Sequence, residues 1–509
     1  MGDLKLERTE VSHHSTEWDC WIIIDNNVYD LSKFIGLHPG GLGPILEYAG
    51  KDATEAFYSL HRQETLLRYQ RYKIGTLMNE EPKIHVAQPG DISSVPYSES
   101  SAWMGFKSPY FKESHARFRS ALRKTMDSLA PEARGYEDSG DKPSTELLQK
   151  LGDLGILAAN IGPGPWLKSF RLVGDVKPEE FDYFHEMIAH EETARWTSPG
   201  TSSGIFGGMV ISLPTVINFG RPEIQAKVIP EVLSGRKRMC LAITEPYTGS
   251  DVANIQTIAR RTADGKYYIV NGTKKWITAG MFADYFSVAV RTEGGISMLL
   301  VERGEGVETK PIKTSYSASA GTSYVMFENV KVPVENLLGK ENQGFKVILS
   351  NFNHERWVML TGASMGARVV IQDCFKWANQ RQVFGKRLID QPVIRNKLAK
   401  MVAAAESTHN WLENITYQMC HMDYKEQSQK LAGPLALCKF RMTRMLHEIS
   451  DDACQIFGGR AITRGGMGRS VESMQRTYKF SAILGGAEEI MADLGIRQAM
   501  RHFPENARL

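Results

Sequence analysis

The chain lacks several features that would assign it to a familiar class of protein. Its cysteines are few and scattered, without a C-x-x-C pair, which excludes a disulfide framework and a cysteine-based zinc site and indicates free thiols in a reducing compartment. A formal net charge of +3 over 509 residues gives no support for a general nucleic-acid or membrane-surface binder. The six cysteines are Cys20, Cys240, Cys374, Cys420, Cys438 and Cys454.

Targeting and membrane signals are also scarce. We find no apolar run long enough to span a bilayer, so no membrane span is expected. The start, Met1-Gly2-Asp3-Leu4-Lys5, mixes charges and has no apolar stretch, which argues against a signal peptide or a mitochondrial presequence. There is also no G-x-G-x-x-G after a first strand, which argues against a Rossmann dinucleotide domain.

What is present divides into several domains, as the length predicts. Helical patterns flank a strand-rich middle region, in which Asn271-Gly272 predicts a hairpin turn between two strands. A polar stretch at residues 132–142 is expected to be a loop within the first helical region. The expected boundaries are a small unit at 1–78, a linker at 79–108, a helical domain at 109–238, a β domain at 239–338 and a helical domain at 339–509.

The small first unit carries a candidate metal centre. His38 stands in a His-Pro-Gly-Gly turn, and His61 follows downstream among apolar residues. Paired imidazoles are common axial ligands of haem iron, and two of them leave no open position for oxygen chemistry. Glycines after His38 allow the backbone to pass close to a flat macrocycle. The pattern predicts an electron-transferring haem, and the alternative is a haemless domain with two surface histidines.

These residues resemble the cytochrome b5 family over about residues 15–78. The resemblance rests on Val28-Tyr29-Asp30-Leu31, on the turn at His38, and on the stretch from Ala49 to Thr54 that leads to Phe57 and His61. It implies a small α+β fold that binds haem b through His38 and His61.

A second constellation begins near residue 240. A strand is expected at Cys240–Thr244, and the loop after it carries Gly249 and Ser250, whose backbone and hydroxyl groups can bind a flavin edge or a pyrophosphate. Further on, Trp276 can cover one face of a flavin ring, with Thr278 beside it.

From about 109 to 500 the chain closely resembles the acyl-CoA dehydrogenase family. Its motifs recur in order: Leu241–Asp251, Trp276-Ile277-Thr278, Arg381–Lys386, Gln455–Gly459 and Ile483–Ile490. The resemblance implies a helical domain, a β domain and a helical bundle, with FAD held between subunits of a dimer or tetramer. The FAD contacts that it implies are Leu241, Ile243, Thr244, Gly249, Ser250, Trp276, Ile277, Thr278, Arg381, Phe384, Gln391, Gln455, Gly458, Gly459, Ala487 and Glu489.

The reaction of this family needs a carboxylate base. In many members it is a Glu in the last motif, but the matching position here is Gly485. A minority branch takes its Glu from an earlier helix, and the matching residue is Glu355. Ile348, Phe352, Glu355 and Met359 also recur at helical spacing, which places a costly carboxylate on an apolar stripe. The alternatives are a structural ion pair at Glu355, or Glu488 or Glu489 as the base.

The resemblance implies an FAD enzyme that forms a 2,3-enoyl-CoA, with Ser250, Asn353 and Arg356 on the substrate side. The fused haem is the expected electron acceptor, with electron-transferring flavoprotein or oxygen as alternatives. Two rival functions stay open: a flavin oxidase or monooxygenase on a substrate without CoA, and a flavin-bearing nucleic-acid-binding protein. Near-neutral charge weakens the second rival, so no nucleic-acid partner is expected.

The final residues, Ala507-Arg508-Leu509, match a relaxed form of the peroxisomal address. They suggest a peroxisomal enzyme, with the mitochondrion or the cytoplasm as alternatives.

Overall fold

The computed structural model describes residues 4–501 and 503–509, and these form two compact units. The residues at 1–3, which belong to the start interpreted above, lie outside that description. The first unit combines residues 4–88 with two later segments, Asp373–Leu398 and Cys454–Glu472. The second contains Pro89–Gln372, Ala399–Ala453 and Ser473–Leu509.

The N-terminal part of the first unit is a small α+β fold around a sheet of strand order β1-β4-β3-β2. β2 and β3 form a hairpin in which Trp21 pairs with Asp30, and the turn residue Asp25 adopts a φ of 59°. Its elements are β1 (Leu4–Leu6), α1 (Arg8–His13), β2 (Trp21–Ile24), β3 (Asn27–Asp30), α2 (Gly43–Leu46), α3 (Thr54–Leu60), α4 (Glu64–Arg68) and β4 (Lys73–Leu77).

Alternation along β2 gives this sheet two apolar faces. Ile22 and Ile24 pack into one core with Tyr29, whereas Ile23 packs into another with Val28. Successive side chains of a strand point to opposite faces, so the run of isoleucines serves both cores.

The second unit begins with helices that pack on one large core. The prediction of a loop at 132–142 is mostly wrong, because α5 continues through Pro131 to Ser139. The helix ends at Gly140, whose φ is 78°. These helices are α5 (Glu113–Ser139), α6 (Thr145–Asp153), α7 (Ile156–Ala159), α8 (Tyr183–Ala194), α9 (Pro199–Ser202), α10 (Gly208–Phe219) and α11 (Pro222–Leu233).

One helical run in this domain was not foreseen. Pro199–Phe219 is long and apolar enough to cross a membrane, although 61% of its most apolar stretch is buried within the fold. Core helices of globular domains have the same length and composition, so the run is weak evidence for a membrane span.

The residues expected to form strands build an eight-stranded sheet, in the order β10-β11-β7-β6-β8-β9-β12, with β5 paired to β8. Its strands are β5 (Met239–Ala242), β6 (Ile258–Arg261), β7 (Tyr267–Ile277), β8 (Tyr285–Thr292), β9 (Gly295–Glu302), β10 (Val307–Pro311), β11 (Ser323–Pro333) and β12 (Leu337–Leu338).

The hairpin expected at Asn271-Gly272 is wrong. These residues lie inside the single strand β7, opposite a bulge in β11. The Asn271 carboxamide oxygen accepts a hydrogen bond from the Asn329 backbone N–H at 2.8 Å, so this backbone donor in the bulge has a side-chain partner. A Cβ on Gly272 would lie 2.7 Å from the Thr257 Cα, so close strand approach explains this glycine.

Helices follow the sheet, as expected. They are α12 (Gly344–Ser350), α13 (Phe352–Gln380), α14 (Pro392–His421), α15 (Tyr424–Lys430), α16 (Ala432–Phe457), α17 (Arg469–Ile483) and α18 (Glu488–Met500), with the short strands β13 (Gln382–Val383) and β14 (Lys386–Arg387) between α13 and α14.

The segment interpreted as a linker is partly built into the second unit. Glu99 is 1% exposed and accepts hydrogen bonds from Arg119 at 2.6 Å and Arg123 at 2.8 Å. Arg123 also pairs with Glu192 of α8. This end of the segment is therefore fixed by a buried ion network that composition alone could not indicate.

Candidate functional site

The two candidate haem ligands face one another in the first unit. The ring centroids of His38 and His61 are 6.0 Å apart, and the ring planes differ by 73°. A metal ion bound at about 2 Å from one nitrogen of each ring would require a spacing of this size. The residues present therefore fit a haem iron held between two imidazoles.

The surroundings of His38 select the nitrogen that can bind iron. Its Nδ1 lies 2.8 Å from the Gly41 carbonyl oxygen, so Nδ1–H donates there and Nε2 is left as the ligand atom. A Cβ on Gly40 would stand 2.9 Å from the His38 ring, which requires glycine at that position. Burial lowers the pKa of His61, and the neighbouring His38 adds to the effect, which favours the neutral imidazole that a metal binds.

Apolar side chains lie around the two candidate haem ligands, His38 and His61. The Phe57 ring lies 5.0 Å from the His61 ring, and the Phe34 ring lies 5.9 Å from that of His38. Leu37 and Leu60, each one residue before a ligand, are 70% and 50% exposed. A flat porphyrin is the type of group that such an apolar rim can contact.

In the second unit, two of the expected flavin-contacting segments lie side by side. The Lys275 backbone N–H donates to the Thr244 carbonyl oxygen at 2.9 Å. The fully buried Lys274 ammonium donates to the Ile243 carbonyl oxygen at 3.0 Å and to Glu245 at 2.7 Å. Sequence analysis missed this lysine, which joins the end of β5 to β7.

The side chains on these segments offer the surface that a flavin needs. Trp276 is 50% exposed and adopts a φ of 65°, whereas Ile277 is buried beneath it. Gly249 and Ser250 are exposed in the loop after β5, and a Cβ on Gly249 would meet nothing within 4 Å. These residues fit an FAD ring system and its phosphates. Leu241 and Thr278 are half-buried beside them.

The other expected FAD contacts fall into two groups. Ala487, half-buried, and Glu489, exposed, belong to the second unit at the start of α18. The rest belong to the first unit and lie just beyond the end of α13, directly before α14, or at and just beyond the end of α16. The Phe384 side chain is 95% exposed. These first-unit residues are Arg381, Phe384, Gln391, Gln455, Gly458 and Gly459.

Glu355 lies beside the last motif of the second unit. Its Oε1 atom is 3.6 Å from the position that a Cβ on Gly485 would occupy. Gly485 has a φ of 63°, and the same Cβ would stand 2.7 Å from the Met359 sulfur. The carboxylate from α13 thus lies next to the backbone position at which the family resemblance would otherwise place the base.

The environment of Glu355 suits a base. Its Oε2 atom is buried and has no hydrogen-bond partner among the described residues. Burial raises the pKa of Glu355 to about 7, against the opposing influence of nearby Arg356, Lys439 and His354. A carboxyl group that titrates near neutral pH is well matched to proton abstraction.

Arg356 and Lys439 fix the turn that faces this carboxyl group. Arg356 donates to the Gly485 carbonyl oxygen at 3.2 Å and to the Asn353 side chain at 3.3 Å. The Lys439 ammonium donates to the carbonyl oxygens of Ser481 at 3.0 Å and Gly486 at 2.7 Å. Burial lowers the pKa of Lys439 to about 8.

Sequence analysis missed Lys439, although a lone lysine within Leu435-Ala436-Leu437-Cys438-Lys439-Phe440 is a recognisable signal. It also missed Glu186, which is fully buried on α8. His354 lies 2.6 Å from the Glu186 carboxylate, and this contact raises the pKa of His354 against the effect of burial. A histidine paired with a buried carboxylate therefore stands one residue before the candidate base.

The two alternative bases, Glu488 and Glu489, lack the environment of Glu355. Glu488 is buried, and it accepts hydrogen bonds from Thr443 at 3.1 Å and Arg444 at 3.3 Å. Glu489 is exposed. Neither arrangement combines burial with an unpaired oxygen, as that of Glu355 does.

Four stretches of the chain match known domain families. Residues 7–78 match the cytochrome b5-like heme/steroid binding domain. The acyl-CoA dehydrogenase N-terminal domain matches residues 112–236, its middle domain matches 240–330 and its C-terminal domain matches 342–500.

Curated relatives agree with these matches. An acyl-CoA dehydrogenase, apdG, of Emericella nidulans is 40% identical over 81% of this chain and 97% of its own length. Cyclohexane-1-carbonyl-CoA dehydrogenase of Syntrophus aciditrophicus is 31% identical over 73% of this chain and 92% of its own.

Solved structures agree as well. A crystal structure of acyl-CoA dehydrogenase from Geobacillus kaustophilus is 26% identical, with a TM-score of 0.66 over 77% of this chain and 100% of that one. A putative acyl-CoA dehydrogenase from Mycobacterium smegmatis is 27% identical, with a TM-score of 0.67 over 78% and 100%.

Proposed function

Since this chain belongs to the acyl-CoA dehydrogenase family and carries a cytochrome b5-like haem-binding domain, we propose that it forms a 2,3-enoyl-CoA and passes the electrons to its own haem. Family membership makes it an FAD-dependent oxidoreductase. The position of the base, the route of the electrons, the assembly and the compartment belong to the proposal.

Glu355 is the proposed base. The observation that carries this assignment is the 3.6 Å between its Oε1 and the Cβ position of Gly485. The base removes the α-proton of the thioester, and FAD, when bound, accepts the β-hydrogen as hydride. A buried carboxylate with a raised pKa holds that proton more strongly than an exposed one.

The last turn has the second proposed task. As the α-proton leaves, negative charge grows on the thioester oxygen, and a backbone N–H can stabilise it. Glycine at 485 retains such a donor. Arg356 and Lys439 hold the carbonyl oxygens of this turn, so its N–H groups are positioned before substrate arrives.

FAD binding is proposed to use both groups of residues described above. The β-domain residues around Trp276 would hold the ring system, and the first-unit residues around Gly458 would hold the adenosine side in a neighbouring subunit. The exposed Phe384 supports such a partner contact, because a large apolar side chain that is 95% exposed gains from burial. A homotetramer is the proposed assembly, with a dimer as the alternative.

Electrons are proposed to leave through the haem, with electron-transferring flavoprotein or oxygen as alternative acceptors. A role in peroxisomal fatty acid β-oxidation is the proposed setting.

The test is anaerobic incubation of the FAD- and haem-loaded protein with straight, branched and cyclic acyl-CoAs. We expect the flavin absorbance to bleach and mass spectrometry to find a product lighter by two hydrogens. Bleaching by a nitroalkane and by no acyl-CoA would favour the oxidase alternative. Salt-sensitive DNA retention without any bleaching would favour the nucleic-acid-binding alternative.

A further inference from the structure

The first unit attaches the haem-binding fold to the dehydrogenase helices at a residue next to a haem ligand. Arg62, which follows His61, donates from Nη1 to Asp373 Oδ2 of α13 at 3.1 Å. The same nitrogen donates to the Met467 carbonyl oxygen at 3.0 Å. A haem ligand is thus one residue away from a contact with distant parts of the chain.

Two further hydrogen bonds support this attachment. Gln380 of α13 donates from Nε2 to the Tyr58 carbonyl oxygen at 2.7 Å. The Ser470 hydroxyl donates to Asp373 and orients its carboxylate. The contact therefore involves both α13 and the segment at 454–472.

The carboxylate of this ion pair is shielded from water, and the guanidinium is partly so. The Asp373 side chain is 7% exposed and that of Arg62 is 29% exposed. The neighbouring guanidinium holds the pKa of Asp373 below its usual range despite burial. Removing Arg62 leaves the buried Asp373 carboxylate without this cation, which costs more than the loss of an exposed pair. Removing Asp373 leaves Arg62 with its second carboxylate partner, Glu64, at 3.4 Å.

The two parts of the chain that contact the haem-binding fold, α13 and the segment at 454–472, also lead to proposed flavin contacts. Arg381 follows the end of α13 directly, and Gly458 and Gly459 follow the end of α16. Within the first unit, the haem-binding fold is therefore fastened to the same segments that are expected to hold FAD. A haem domain fastened to a segment that also contacts FAD needs no diffusive encounter before electron transfer.

We propose that the Arg62–Asp373 ion pair docks the haem-binding fold on the flavin-binding ends of α13 and α16, and that this docking sets the rate of flavin-to-haem electron transfer. This inference rests on the proposed function. Arg62 is a positioning residue in this scheme, since it touches neither substrate nor the reacting atoms.

The electrons balance as follows. One acyl-CoA loses a proton to Glu355 and a hydride to FAD, and each ferric haem takes a single electron. Oxidation of one acyl-CoA therefore reduces about two ferric haems to ferrous haems. Oxidised FAD is regenerated, and both protons go to solvent.

The experiment uses full-length protein loaded with FAD and haem, in the variants Arg62→Met, Arg62→Lys and Asp373→Asn. Arg68→Met is the matched control, because Arg68 is an exposed arginine on the same fold. Stopped-flow absorbance records flavin and haem reduction separately after anaerobic mixing with acyl-CoA. Photoreduction of the flavin starts the transfer without substrate.

We expect Arg62→Met and Asp373→Asn to leave flavin reduction unchanged and to slow haem reduction by about ten-fold or more. The docked state then loses its ion pair and keeps the weaker Gln380–Tyr58 hydrogen bond, so the domain is held more often by its tether alone. Arg62→Lys should give an intermediate rate. Hydrogen exchange without substrate should show faster exchange at 54–62 and 373–380, and the oxidised haem spectrum should stay intact.

Unchanged haem reduction in both Arg62→Met and Asp373→Asn would overturn the proposal, as would equal slowing by Arg68→Met. Asp373 lies outside the haem-binding fold. If Arg62→Met loses haem, the haem reduction rate of Asp373→Asn alone therefore tests the proposal. Should no acyl-CoA bleach the flavin, the proposed function fails. Photoreduction and hydrogen exchange would still test the docking.

Discussion

The Oε1 atom of Glu355 lies 3.6 Å from the point at which a Cβ on Gly485 would stand. These residues are far apart in sequence, on α13 and on the turn before α18. Their proximity means that a carboxylate from either backbone position could reach the same place. The proposed base therefore reaches, from α13, the place that Gly485 leaves without a side chain.

Replacing Glu355 by Gln should slow flavin reduction by acyl-CoA about 10³-fold, because the amide cannot accept the α-proton. Glu448→Gln is the matched control, since Glu448 is an exposed carboxylate on α16 outside the proposed site. Anaerobic stopped-flow absorbance measures both. Similar flavin reduction rates in wild type and Glu355→Gln would rule out Glu355 as the base.

Moving the carboxylate should restore part of the activity. The double variant Glu355→Gly/Gly485→Glu should reduce its flavin about ten-fold or more faster than Glu355→Gly alone. Recovery should be incomplete, because a φ of 63° strains a side-chain-bearing residue and the new Cβ would meet Met359. Glu355→Gly/Gly485→Gln is the control, and equal rates in the two double variants would contradict the geometric argument.

The pH profile should report the charges around Glu355. The base must be ionised, so kcat/KM should rise with pH through about 7. Lys439→Met removes one cation and leaves Arg356 and His354, so the rise should move to higher pH. Lys430→Met, an exposed lysine on α15, should not move it.

A shift to lower pH in Lys439→Met would contradict this electrostatic account. Lys439→Arg retains the cation and should keep the profile near that of wild type, which separates the charge effect from simple loss of the turn.

Thermal unfolding provides a second test of the raised pKa. The folded-state pKa of Glu355 lies above its ordinary value of 4.5, so its stabilising contribution is complete below pH 4.5 and is lost as the pH rises through about 7. Glu355→Gln should therefore gain Tm relative to wild type above pH 7 and not below pH 4.5. An equal difference at both ends would contradict burial of the ionised group.

Local patterns predicted much of this molecule, and the failures have physical reasons. The order of helices, strand-rich region and helices followed from apolar spacing and strand-forming residues, and both signals are local. Asn271-Gly272 misled because a bulge and a close strand approach use the same residue types as a turn. Other contacts join residues that are distant in sequence, such as Arg62 with Asp373 and Lys439 with Gly486. A periodic pattern of neighbouring residues cannot reveal such contacts.

The haem ligands should behave as a pair. His38→Ala or His61→Ala should abolish the six-coordinate b-type spectrum, because one imidazole leaves an open iron position. His13→Ala, an exposed histidine on α1, is the control. Flavin reduction by acyl-CoA should persist in all three variants. An unchanged haem spectrum after loss of either ligand would contradict the assignment.

Anaerobic titration of the FAD- and haem-loaded protein with its best acyl-CoA tests the central claim most directly. The account predicts that the reduced haem α-band rises as substrate is added, with about two haems reduced for each acyl-CoA oxidised. Bleaching of the flavin while the haem stays ferric would contradict the internal transfer of electrons from FAD to haem.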